Sequence, residues 1–144
     1  MKIEHVTTPT DELYRAFKIL TPQLTANHPP PTRTEVDELI AAPSSITLIA
    51  RHPDKTGPIV GAAFLVVYRV LTGIRARLED VVVDESARGL GIGDALTREA
   101  LRIAQESGAD GVALTSNPRR VAANQLYQKI GFKRWGTNLY FYKF

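Results

Sequence analysis

No cysteine occurs in the 144 residues, which removes disulfides, thiolate metal sites and a cysteine nucleophile together. Histidine is scarce. His5, His28 and His52 are scattered without ligand spacing, so surface histidines are the better reading and no metal is expected. No apolar run, the opening Met1–Val6 included, is long enough for a signal peptide or a membrane span, and a cytoplasmic location follows by default. Charge is not concentrated either. The formal excess of +3 comes from Lys and Arg spread along the chain, which speaks against nucleic acid and suits a phosphate-rich ligand. Repeats, low-complexity tracts and linkers are all missing, so residues 1–144 are expected to form one domain. The 44% apolar and 23% charged fractions are those of a globular protein and exclude the disordered and membrane classes.

What is present falls into two halves. Ile3–Thr7 alternates as a first strand. Thr8–Asp11 starts a helix, with a capping hydroxyl, an early proline and a carboxylate near the positive end. Leu13, Phe17, Leu20 and Leu24 continue it at helical spacing, and the prolines of Asn27–Pro31 stop it. Thr32–Glu35 fits a capping box, and Val36, Leu39 and Ile40 mark a second, short helix. Strands are then expected over Ile46–Arg51, Ile59–Val70 and Ile74–Asp84. After them come a helix (Gly91–Gln105), a strand (Gly111–Thr115), a helix (Arg119–Lys129) and a strand (Leu139–Phe144). An antiparallel front half followed by crossover units predicts an α/β fold with a mixed, mostly antiparallel central sheet and flanking helices. Leu139–Phe144 is apolar on both faces, which suits an interior strand or a dimer contact, with the core the stronger reading.

The richest segment is Val81-Val82-Val83-Asp84-Glu85-Ser86-Ala87-Arg88-Gly89-Leu90-Gly91-Ile92-Gly93. A β-branched run ends in a turn, three alternating glycines follow, and a helix begins. Such glycines let the backbone approach a ligand and turn successive N–H groups outward. The helix start adds partial positive charge, so the turn can cradle a diphosphate, with Arg88 at its entrance. A P-loop would need Gly-Lys-Ser/Thr where Gly93-Asp94-Ala95 stands, and a dinucleotide fingerprint would need its third glycine at Asp94. A turn that is glycine-rich for packing alone remains the plain alternative.

Arg88-Gly89-Leu90-Gly91-Ile92-Gly93 resembles the Arg/Gln-x-x-Gly-x-Gly/Ala signature of the GNAT superfamily of N-acetyltransferases. Leu78–Asp84 is similar to that family's fourth strand, in particular that of glucosamine-6-phosphate N-acetyltransferases. Ala123, Tyr127, Gly131 and Phe132 match a second GNAT block, in which Arg120 stands where Asn is common. The resemblance implies the GNAT fold and acetyl transfer from acetyl-CoA to a small amine or a peptide amine, without a covalent enzyme intermediate. A coenzyme A-binding sensor without catalysis is the rival from another class. The implied cofactor contacts are Val81, Val82, Val83, Arg88, Gly89, Leu90, Gly91, Ile92, Gly93, Asn117, Arg120, Asn124 and Tyr127, with the Val81 N–H aimed at the acetyl oxygen.

Two side chains carry the implied chemistry. Tyr127 lies one helical turn beyond Ala123 on the same face and would protonate the departing thiolate; a packed aromatic is the alternative. Glu79, on the strand before the turn, would be the general base, with Asp80 in reserve. Strict alternation would point Glu79, Val81 and Val83 one way and Leu78, Asp80 and Val82 the other. An edge carboxylate paired with Arg75 or Arg77 is the competing reading of Glu79.

Overall fold

The computed structural model describes residues 1–144 as a five-stranded sheet with helices on both faces. The strands are β1 (Lys2–Val6), β2 (Ser45–Arg51), β3 (Ile59–Val70), β4 (Gly73–Val83) and β5 (Val112–Ala113). The helices are α1 (Asp11–Leu24), α2 (Arg33–Ala41), α3 (Ile92–Glu106) and α4 (Val121–Ile130). Strand order follows chain order. β1 to β4 are antiparallel neighbours, and β5 joins β4 in parallel after the α3 crossover. The expected mixed, mostly antiparallel sheet is therefore present.

Alternation along the strands fills two cores. Leu48 and Ala50 of β2 and Ala63 and Leu65 of β3 pack with Leu78 and Val81 of β4 under Ile92, Leu96, Ala100 and Ala104 of α3. On the other face Ile49, Ala62 and Val82 pack with Leu13, Phe17 and Leu20 of α1 and Val36 of α2. Each fully buried Leu or Ile contributes about 2 kcal/mol of apolar burial. Both front helices begin on threonine caps: Thr10 Oγ1 accepts from the Leu13 amide, and Thr32 with Glu35 forms the complete capping box.

β4 departs from strict alternation. Its register against β3 runs from Phe64↔Glu79 to Ala62↔Val82, so β4 spends one residue more than its partner. That bulge is centred on Asp80, whose φ of +47° lies in the left-handed region. An extra residue shifts side-chain parity. Leu78 and Val81, three apart, consequently face the same α3 core, and the expected grouping of Leu78 with Asp80 and Val82 is corrected.

The C-terminal strand is also corrected. Leu139–Phe144 forms no strand, and Tyr140, Phe141 and Tyr142 are 86%, 87% and 82% exposed. β5 is two residues long and pairs only with Ala76 and Arg77, too short an edge to template a further strand. No helix is long and apolar enough to cross a membrane.

Candidate functional site

The glycine turn is held from below and open above. Asp84 ends β4 and caps a single 3-10 turn, Glu85–Ala87, its Oδ1 accepting from the Ser86 amide at 2.9 Å. Gln23, in the last turn of α1, grips the same corner: its Nε2 donates to Asp84 Oδ2 at 3.0 Å and its Oε1 accepts from the Glu85 amide at 2.8 Å. Gly89 and Gly91 both take φ of +77°, and Gly91 caps α3 from the left-handed region. A side chain at either would strain the backbone although space is free there. Gly93 differs. It lies inside α3, where an added Cβ would stand 3.2 Å from Leu126 Cδ2, so its smallness serves the approach of α4.

From Leu90 to Asp94 no amide donates to an acceptor within the chain, and the first helical bond of this region is that of Ala95 to the Gly91 carbonyl. Five free N–H groups at a helix start, bent by two left-handed glycines, fit a diphosphate. Leu90 and Ile92 differ in side-chain position: Leu90 is half exposed and Ile92 is buried in the α3 core. For Ile92, any ligand contact is through the main chain. Arg88 is exposed, and its Nε lies 3.4 Å from the Val83 carbonyl. The turn sits close to the sheet because Gly61 of β3 leaves room: a Cβ there would lie 3.1 Å from Ile92 Cγ2.

Beside the turn, β4 is unpaired on its α4 side, since β5 covers only Ala76 and Arg77. Val81 and Val82 are buried and Val83 partly so. Into this gap reaches Arg120, just before α4, whose Nη2 donates to the Val81 carbonyl at 3.0 Å. Asn117 and Asn124 hold the turn that carries it. Asn124 Nδ2 donates to the carbonyls of Asn117 and Arg120, both at 2.9 Å, and Asn117 Oδ1 accepts from the Arg119 amide. These two side chains brace α4.

Tyr127 is 6% exposed, with its ring edge-on to Phe132. Its hydroxyl bonds to no group in the chain, yet it is not among the sealed, unpartnered polar atoms. Burial pushes the phenol up and the Arg120 charge opposes this. A raised phenol keeps its proton at neutral pH, as an acid must.

The carboxylates of β4 are set apart. Glu79 accepts from Arg77 Nε at 3.0 Å, with its side chain 42% exposed, which is the arrangement of the competing edge-carboxylate reading. Asp80, its neighbour, stands on the bulge. Solvent reaches it, but surrounding protein crowds the carboxyl enough that burial leads the causes raising its pKa, followed by Glu79; Arg120 and His28 act to lower it. Among the three histidines and the acids, no cluster could hold a metal ion.

The Acetyltransferase (GNAT) family matches residues 13–132, most of the chain. The chain belongs to the GNAT acetyltransferase family. Among GNAT relatives, the glucosamine 6-phosphate N-acetyltransferase of Trypanosoma brucei brucei is 41% identical over 81 residues, 54% of this chain and 53% of that protein. The chain thus spans about half the length of that relative. A crystallised Trypanosoma brucei acetyltransferase superposes with a TM-score of 0.77 at 27% identity, covering 99% of both chains. An acetyltransferase from Agrobacterium tumefaciens reaches a TM-score of 0.83 at 22% identity, covering 99% of this chain and all of that one, a likeness of fold. Sequence reading missed Gln23 and Gly61, and it named Arg120 as a cofactor contact without its bond to the Val81 carbonyl. Gly61 alone had a visible signal, a glycine inside a strand.

Proposed function

We propose that this GNAT protein transfers the acetyl group of acetyl-CoA directly to a primary amine. The observation that carries the reading is the row of free amides from Leu90 to Asp94 at the start of α3. A diphosphate is the ligand chemistry that such a row recognises. The acetyl thioester supplies the activated acyl group, and the unpaired stretch of β4 from Val81 to Val83 offers main-chain groups along its length. The ladder to β3 skips Asp80 and Val81, which favours the Val81 N–H as donor to the acetyl oxygen, where negative charge develops.

Tyr127 gives its proton to the leaving sulfur, since its hydroxyl has no competing partner and its pKa is raised. The amine must reach the acyl carbon unprotonated, and a carboxylate of the Glu79–Asp80 pair accepts its proton. The acceptor class is narrower than any amine on one line of support. The Trypanosoma brucei brucei relative is named for glucosamine 6-phosphate, and Arg69 and Arg75 stand exposed at the β3–β4 hairpin of this chain, suited to an anionic acceptor. An amino-sugar phosphate therefore heads the panel, ahead of polyamines and peptide lysines. Thiol release from acetyl-CoA across that panel is the test. The reading predicts release with at least one amine at a rate well above the amine-free background; background release with every amine contradicts it.

A further inference from the structure

We propose that Asp80, rather than Glu79, is the group of β4 that takes the proton from the acceptor amine. The assignment rests on the acetyl-transfer reading above and specifies its amine side. Three features of the backbone and surroundings point to it.

Asp80 is the one non-glycine residue with positive φ. A left-handed residue within a strand costs on the order of 1 kcal/mol or more and persists where its placement is over-determined. The bulge turns Asp80 out of the side-chain alternation of β4, at the point where the ladder to β3 lapses. Glu79 keeps its ladder place opposite Phe64, partly buried and ion-paired with Arg77 at 3.0 Å. The Arg77 guanidinium thus engages the Glu79 carboxylate, whereas no ion pair or hydrogen bond within the chain engages that of Asp80.

The charged groups that act on Asp80 come from three segments of the chain. His28 belongs to the segment joining α1 to α2, Arg120 to the start of α4, and Glu79 to β4 itself; each acts on the Asp80 carboxyl. Arg120 acts on the Tyr127 phenol as well. Asp80 thus stands within electrostatic reach of the α1–α2 segment and of Arg120, which also acts on Tyr127. Access for a substrate combined with crowding that raises the carboxyl's pKa is the environment in which a carboxylate serves as a base.

The step balances. An incoming ammonium passes one proton to the Asp80 carboxylate, and the freed nitrogen bonds to the acetyl carbon as the carbon–sulfur bond breaks. Tyr127 protonates the sulfur, and the second proton lost by the nitrogen restores the phenol. Asp80 then releases its proton to solvent, one per turnover.

The test compares Asp80→Asn, Asp80→Gly and Glu79→Gln with the parent in kcat/KM against pH, with acetyl-CoA affinity measured by calorimetry. Asn and Gly both tolerate the left-handed backbone, so the bulge survives either change. Expected is a fall of about 10²-fold or more for both Asp80 variants with the low-pH limb of the profile abolished, acetyl-CoA affinity within about threefold, and a loss under about tenfold for Glu79→Gln. A carbon-13 titration of the aspartate carboxyls in the parent protein adds a readout independent of turnover: the resonance that Asp80→Asn removes should titrate above the others. The assignment is overturned if Glu79→Gln is the crippled variant, if the Asp80 variants keep rate and pH limb, or if the Asp80 resonance titrates with ordinary carboxylates. A parent protein that neither binds acetyl-CoA nor releases thiol brings down the underlying reading too, which separates the two failures.

Discussion

At Tyr127 two readings compete, a packed aromatic and the proposed acid. The ring is buried against Phe132 while the hydroxyl stays unpartnered. Tyr127→Phe keeps the packing and removes the proton, so kcat should fall about 10²-fold with acetyl-CoA affinity unchanged, as single-turnover kinetics and calorimetry will show. Asp80 makes a second prediction, in stability. Burial raises its pKa in the folded state, so over the window just above the ordinary aspartate range the folded protein binds more protons than the unfolded one. Stability then falls as pH rises through that window, and the deficit persists at neutral pH. Asp80→Asn should therefore melt higher than the parent at pH 7, and the two curves should converge as pH drops below the usual aspartate range. A lower melting point at pH 7 would deny the burial. These residue identities were legible in part. The Glu79-Asp80 pair inside an apolar strand was visible, but the bulge at Asp80 was not, because a period-two pattern carries no sign of an inserted residue until its partner strand is known.

Between elements, the link of most consequence is α1 to the glycine turn. Gln23 bonds both Asp84 and Glu85 across more than sixty residues of sequence, so a helix that covers the front of the sheet also fixes the corner from which Arg88 and Gly89 depart. Gln23→Ala removes both bonds without touching a cofactor. It should weaken acetyl-CoA binding by about tenfold, the equivalent of one or two ordinary hydrogen bonds lost to loop ordering, while melting changes little; unchanged affinity in calorimetry would show that the corner holds itself. The elements themselves were readable from periodicity and caps. All four helices and β1 to β4 lie within a residue or two of their expected places, because each carries its own punctuation: Thr10, the Thr32–Glu35 box, the hairpin Gly73 and the glycines before α3. Long-range links such as Gln23 leave no local trace.

For the molecule as a whole, the two cores on the faces of one sheet explain why the glycine turn stays put. Gly61 and Gly93 allow α3 to approach both the sheet and α4, so the cradle is seated on packed elements. The C-terminal segment is the large-scale expectation that did not hold. Its apolar pattern demands cover on both sides, yet Leu139–Phe144 lies exposed beyond a two-residue β5. Removing residues 139–144 should accordingly shift the melting temperature by less than about 4 °C, the effect of about 1 kcal/mol; loss of cooperative unfolding would place the segment in the core after all. In the proposed reaction the bared amides of the turn bind the diphosphate of acetyl-CoA. Titration of acetyl-CoA into the purified protein and its Gly91→Val variant tests it most directly: measurable binding by the parent and a loss of at least about tenfold in the variant are predicted, since a β-branched residue cannot hold φ of +77° without strain. No heat with the parent, or equal affinity in both, would contradict it.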